Sequence, residues 1–332
     1  MRAGALATLA LVASVAVALS VGQPVSLTAA LSDPASLDRA ILVSARLPRI
    51  ALGLLAGAGL SITGAAFQGL LRNPLAEPYV LGVAGGAALG ATLALAVGTT
   101  SASLFAAVMG ASATAAAATL FGLLATALVY AIARGARRDR APSSTDILLA
   151  GVVVNAIATG AITFAKTLVR AGTAQQLLYW LAGFLDVSTP ATLGVVGVAV
   201  ASGSIVLMST APSLGLLALG EEHAAHLGVD VARLERKVFV ASSLIVGAIV
   251  ATCGIIGFLG LLVPHVVRRL VGPDPRRTLP LSLILGAATL VACDALARAS
   301  FRVLGSEPPV GAITALLGGP LFLVLLTRRR AH

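Results

Sequence analysis

Charged side chains are scarce in this sequence. They make up 11% of its 332 residues, against about 25% in soluble globular proteins. With 58% of residues apolar, so little charge leaves no surface that would hold a folded globule in water. That excludes a soluble enzyme, and a disordered chain equally. Lysine is almost missing: the 23 basic residues are all arginine except Lys166 and Lys237. The residues before them, Ala165 and Arg236, are not the glycine that a G-x-x-x-x-G-K-[ST] phosphate loop requires. The chain has no such loop with which to hydrolyse ATP by itself. Two cysteines, Cys253 and Cys293, and four histidines make neither a disulfide framework nor a metal site. Both cysteines lie in apolar runs and read as small buried residues. Aromatics are few, at 4%, but Tyr179 and Trp180 fall where an interfacial belt would place them.

Long apolar runs fill the space. A membrane helix needs about 20 mostly apolar residues to cross about 30 Å of hydrocarbon. Ten such runs follow one another at residues 3–21, 47–68, 79–98, 103–133, 147–168, 191–209, 238–253, 255–267, 279–297 and 310–327. The expectation is an all-α polytopic membrane protein, one transmembrane domain over 1–332. Ala16-Val17-Ala18 offers a signal-peptidase site, but the first run is longer than most signal cores. We read it as a retained first span, with cleavage as the alternative. Gly53/Gly57 and Gly82/Gly86/Gly90 repeat at four-residue spacing, which lets helix backbones approach closely.

The net charge of +10 is a topology signal rather than a sign of nucleic-acid binding, because the arginines cluster between apolar runs. With both termini inside, only Arg39, Arg46, Arg49, Lys166, Arg170, Arg298 and Arg302 fall outside, leaving sixteen of the 23 basic residues inside. The outer exceptions have two readings. They meet lipid headgroups or pair internally with Asp294 or Glu307, or they form a basic rim for an acidic partner.

Few ionisable groups fall at membrane depth; Lys166 and Asp294 stand near span ends. An ion-coupled transporter would bury more along its path, and no nucleophile–base set suggests an intramembrane enzyme. The reading is a permeation body whose energy source lies elsewhere. Three further features carry information. The polar stretch 220–237 suits a short helix pair that docks a motor subunit, with a solvated loop as the plain alternative. Residues 175–184 read as an amphipathic helix at the outer surface. Prolines break the pattern at Arg72-Asn73-Pro74-Leu75-Ala76-Glu77-Pro78 and at Pro264-His265. Broken helices at membrane depth persist only where protein or a water-filled cavity satisfies the backbone, so both breaks point to a translocation path or its gate. His265 reads as a structural hydrogen-bonding residue.

At these residues the sequence resembles the FecCD-type permeases, membrane subunits of ATP-binding-cassette (ABC) importers for iron-siderophores, haem and cobalamin. The resemblance rests on Arg46-Leu-Pro-Arg49, Gln68 with Arg72-Asn-Pro-Leu-Ala-Glu-Pro78, Leu148-Leu-Ala-Gly151, Trp180-Leu-Ala-Gly183 and Leu219-Gly-Glu with Leu227-Gly228. It continues through Gly257-Phe-Leu-Gly-Leu-Leu-Val-Pro-His265, Arg268, Gly272, Asp274, Arg277, and Asp294, Arg298 and Pro309-Val-Gly311. Two places depart from the family pattern: Pro275 stands where a histidine is usual, and Glu307 is followed by two prolines.

The resemblance implies a ten-helix subunit working as a dimer, a homodimer in the simplest case. Substrate would pass along the two-fold axis, driven by two cytoplasmic cassette ATPases that bind ATP and magnesium. An external binding protein would deliver it. It implies no cofactor, metal or catalytic residue on this chain. Arg46 and Arg49, with Arg298 or Arg302, would meet glutamates of the binding protein. A loop of about 213–237 would couple to the ATPase through Leu219, Gly220, Glu221, Glu222, Ala225, Leu227 and Gly228. Asn73 and Leu75 would form one inner gate, and Ser144 and Thr145 another, with Asn155 along the path. The expected setting is the cytoplasmic (inner) membrane. The alternative function is a secondary transporter or channel that needs no ATPase.

Overall fold

The computed structural model describes residues 2–22, 26–33, 35–79, 81–100, 104–135, 144–187 and 190–327. The basic clusters Arg137, Arg138, Arg140 and Arg328, Arg329, Arg330 lie outside the described residues. Among the described residues every regular element is helical. The long helices are α1 (Arg2–Ser20), α4 (Leu47–Leu70), α5 (Val83–Thr100), α6 (Leu104–Gly135), α7 (Ser144–Leu168), α9 (Pro190–Ser209), α12 (Val231–Cys253), α13 (Leu259–Val271), α14 (Pro275–Leu304) and α15 (Val310–Thr327). Short helices α2 (Leu27–Ser32), α3 (Leu37–Ile41), α8 (Ala171–Leu181), α10 (Ala211–Leu217) and α11 (Glu221–His226) join them, and a π-turn at Leu42–Arg46 runs α3 into α4. Among the described residues, seven helices, one of them spanning Leu37–Leu70, are long and apolar enough to cross a membrane, and shorter apolar helices accompany them.

Helix α4 is the axis of the fold. It packs against α14, α13, α9 and α12, and most of its residues are buried. Lipid tails are as apolar as leucine, so close packing of small residues has to supply the attraction. The glycines of α4 show how. A side chain at Gly57 would meet the Gly286 carbonyl oxygen of α14 at 2.3 Å, and one at Gly64 would meet the Gly260 carbonyl of α13 at 1.9 Å. Neither contact admits a methyl group. Gly86 and Gly90 seat α5 against α6 in the same way, which accounts for the four-residue glycine spacing.

Several expected boundaries move, most of all at the seventh span, expected at 238–253, which begins seven residues earlier at Val231 as α12. The amphipathic outer helix, expected at 175–184, is α8, and it ends where Tyr179 stacks on Phe184 with ring centres 3.9 Å apart. The ninth span extends beyond 279–297 to become the 30-residue α14. Its start explains the departure at Pro275. Asp274 caps the helix by accepting from the Arg276 N–H at 2.9 Å, and Pro275 occupies the first helical position, where the missing N–H costs nothing. The eighth span, expected at 255–267, begins four residues later at Leu259.

Candidate functional site: the broken helix and the two ends of the bundle

Helix α13 has only 13 residues, about 20 Å at 1.5 Å per residue, and is too short to cross alone. It starts at Phe258, whose left-handed φ of 67° is uncommon for a side chain of this size. The Phe258 N–H donates to the buried Glu77 carboxylate at 2.7 Å. Its side chain fills the space beside Gly318 of α15. Glu77 thus ties the Pro-rich α4–α5 connection to the start of the broken helix. Nothing in the sequence alone marks Glu77 for this role.

Pro264 lies inside α13 and has no N–H to give the carbonyl four residues back. That carbonyl belongs to Gly260. The Gln68 side chain of α4 supplies the missing donor, its Nε2 donating to the Gly260 and Leu261 oxygens at 3.2 Å each. Replacing Gln68 by leucine is expected to strand that acceptor and cost about 1–3 kcal/mol. Thermal unfolding in detergent measures this, and a loss below about 0.5 kcal/mol would leave the proline break satisfied by some other group.

Segments far apart in sequence meet near the other end of α12. Phe184 N–H donates to the Cys253 carbonyl at 3.0 Å and Gly311 N–H to the Gly183 carbonyl at 3.2 Å. Side chains at Gly183 or Gly254 would strike the Ile255 or Trp180 carbonyls at 2.3 and 1.9 Å. The motifs Trp180–Gly183 and Pro309–Gly311 are therefore one packing cluster.

At the end of the bundle where α4 begins, three of the arginines expected on the outer side converge. Asp294, 2% exposed, accepts from Arg49 Nη2 at 2.7 Å and from Arg298 Nε at 3.0 Å. Arg49 also reaches Glu307, in the α14–α15 connection. Arg298 donates to the Ala18 and Val21 carbonyls at 3.0 and 2.9 Å, and Arg46 to the Leu19 carbonyl. The last carbonyls of a helix have no partner within it, and cations there also favour the helix dipole. The two guanidiniums close the C-terminus of α1. Of the four arginines expected at a docking rim, Arg46, Arg49 and Arg298 are thus turned inward to bonds within the chain. Arg302 stays exposed. The internal-pairing reading with Asp294 and Glu307 describes this arrangement.

At the opposite end, α10 and α11 form a helix pair around an elbow at Leu219 and Gly220, whose φ is 114°. Of the pair expected within 220–237, only α11 is a separate short helix, the remainder opening α12. Ala224 is buried, while Leu219, Glu222, Ala225, Leu227 and Gly228 are exposed and Glu221 half-exposed. Glu221 bonds Arg72 at 3.0 Å, joining this pair to the turn that follows α4. There Asn73 Oδ1 accepts from the Leu75 N–H at 2.9 Å, and the tight turn presents Leu75 to the surface. Ser144 and Thr145 open α7, with Thr145 exposed. The half-buried Asn155 directs its buried Oδ1 at Gly85 of α5.

A glycine-packed helical bundle of apolar spans, a proline-broken helix and an exposed pair of short helices at one end fit a membrane permease. The chain belongs to the FecCD transport family, whose profile matches residues 5–328. It is 40% identical over 296 residues to the cobalamin import system permease protein BtuC of Halobacterium salinarum, covering 88% of this chain and 74% of that one. It is 35% identical to the hemin transport system permease protein HmuU of Yersinia pestis, covering 87% and 84%. A solved inward-facing structure of a metal-chelate type ABC transporter superposes with a TM-score of 0.83 at 30% identity, covering 98% of both chains. The chain is a permease subunit of an ABC importer and a multi-pass membrane protein.

Proposed function

We propose that this chain forms half of a permease homodimer in the cytoplasmic membrane, with both termini in the cytoplasm. It passes an iron chelate, haem or cobalamin from an external binding protein to the cell interior. Two cassette ATPases dock at α10–α11. The relatives for cobalamin and hemin support the substrate class, and the arginine asymmetry supports the orientation. Exposed apolar residues along α7 and α15, among them Leu149, Val152, Ile157, Leu316 and Leu317, leave room for a second copy beside lipid. Of the four rim arginines, Arg302 is the one left open to a binding protein. Arg49 and Arg298 would join it only by exchanging internal carboxylates for external ones.

The observation that carries the energy-coupling reading is the Arg72–Glu221 pair. Through it, motion of the exposed helix pair reaches the turn bearing Asn73 and Leu75, the proposed inner gate. Ala225→Trp places an indole on the exposed face of α11 with no backbone strain. In proteoliposomes holding the ATPase and binding protein, ATP-driven uptake is expected to fall at least about tenfold, roughly 1.4 kcal/mol of coupling, while the purified permease keeps its thermal stability. Wild-type uptake that persists without ATPase or ATP would instead make the chain a secondary transporter. Unchanged uptake in Ala225→Trp would move the docking site elsewhere.

A further inference from the structure

Helices α9 and α12 do not close against each other along their whole length. Between them runs an open groove of about 520 Å³, lined by Ser202 and Val206 of α9 and, on α12, by Arg233, Arg236, Lys237, Val240 and Leu244 among others. The α12 residues fall at spacings of three, four and seven, which is one stripe of a helix. Their order along the stripe matters. Three cations come first, and the aliphatic residues follow deeper into the bundle.

From Arg233 to Leu244 the helix rises about 16 Å at 1.5 Å per residue, close to half of the ~30 Å hydrocarbon thickness. The groove is therefore one leaflet deep, apolar at depth and cationic at its mouth. Its charge is nearly unopposed: none of the lining residues is acidic. Asp230 shares Arg233 at 3.4 Å, both side chains being exposed. Glu235, the nearest other carboxylate on α12, is held by the Tyr130 hydroxyl of α6 at 2.9 Å, away from the groove. Lys237 is one of only two lysines in the chain. An ammonium on a flexible stem reaches up to a headgroup while its methylenes stay along apolar surface.

We propose that this groove is a binding site for one anionic phospholipid. Its phosphodiester sits between Arg233, Arg236 and Lys237, and an acyl chain lies along Val206, Val240 and Leu244. Basic pockets between transmembrane helices suit anionic headgroups, and the match of groove depth to one leaflet fixes a lipid rather than a free phosphate as the occupant. The site requires only that this end of the bundle lies at a membrane interface, so it stands whichever substrate the permease carries. It makes the α9–α12 contact, and the α10–α11 pair between them, dependent on lipid composition.

Tryptophan fluorescence tests this directly in the full-length protein. Trp180, the sole tryptophan, is replaced by phenylalanine, and a new tryptophan is placed at Val240 or, as a second probe, at Leu244. Reconstitution in vesicles of phosphatidylcholine with either brominated phosphatidylglycerol or brominated phosphatidylcholine reads lipid occupancy by quenching. The anionic lipid is expected to bind with at least about tenfold preference, since three cations at up to about fivefold each can supply more than that. The preference should shrink with salt. It should fall to near one in R233Q/R236Q/K237Q, with quenching by phosphatidylcholine retained. Equal quenching by the two lipids in the unsubstituted groove would overturn the proposal. So would a preference that survives loss of all three cations. Absence of quenching by either lipid at both probe positions would show that protein, a second copy or another subunit, covers the groove, and would overturn it as well.

Discussion

Replacing Asp294 by alanine is expected to destabilise the permease by about 3–5 kcal/mol, the range for breaking a buried ion pair from one side. The carboxylate is buried and accepts from two guanidiniums at 2.7–3.0 Å. Its removal leaves Arg298 with only the α1 carbonyls and Arg49 with only Glu307. The loss should show as a lower unfolding temperature in detergent and as earlier release of α1, measured by proteolysis near residue 20. A matched change at the exposed Arg302 should stay within about 0.5 kcal/mol. Leucine at Arg298 in the Asp294→Ala background should recover part of the loss, since it removes one stranded charge. If Asp294→Ala and Arg302→Ala unfold at the same temperature, the arginine cluster is not a structural clasp, and its polar contacts are incidental to stability.

The second large effect is expected at the helix crossing. Gly64→Ala should destabilise despite alanine's better helix propensity, because its methyl carbon would sit 1.9 Å from the Gly260 carbonyl oxygen. Overpacking of this kind costs about 1–3 kcal/mol and sometimes more. Backbone on one side and the Gln68-braced first turn of α13 on the other leave little room to yield. Gly194 of α9 supplies the opposite sign. Nothing lies within 4 Å of an added methyl there, so Gly194→Ala should stabilise by up to about 1 kcal/mol through propensity alone. Thermal unfolding of the pair decides the matter. A neutral Gly64→Ala would mean that α4 and α13 are farther apart than this packing requires.

Much of the fold is legible without coordinates. Runs such as 47–68 and 147–168 are long and apolar, and in hydrocarbon a chain must bond its own backbone, which leaves only a helix. Gly220 and Gly228 are legible as punctuation of the polar stretch 220–237, and α11 lies between them. The start of α13 is not. Gly254 to Gly257 are as apolar as the helix that follows, so hydropathy cannot find the break. The turn depends instead on Phe258 taking a left-handed φ, on Glu77 receiving its N–H and on the Trp180 carbonyl packed against Gly254. Those partners lie tens to nearly two hundred residues away.

The outer arginines divide in the same way. Their excess on the wrong side of the charge asymmetry is visible in the sequence, because that bias is a property of composition along the chain. The direction each one faces is not. Arg49 meets a carboxylate 245 positions later, and Arg46 and Arg298 close a helix end that only the packing of α1 on α14 brings near. Sequence by itself determined the helical class, the approximate spans, the family and the two proline sites, since these follow from local apolarity, local φ/ψ preference and short motifs. The tertiary structure alone decided which polar groups are spent inside the bundle and which remain for partners. A hydrogen bond or ion pair forms only where two groups meet, and in this protein the groups that meet come from opposite ends of the chain.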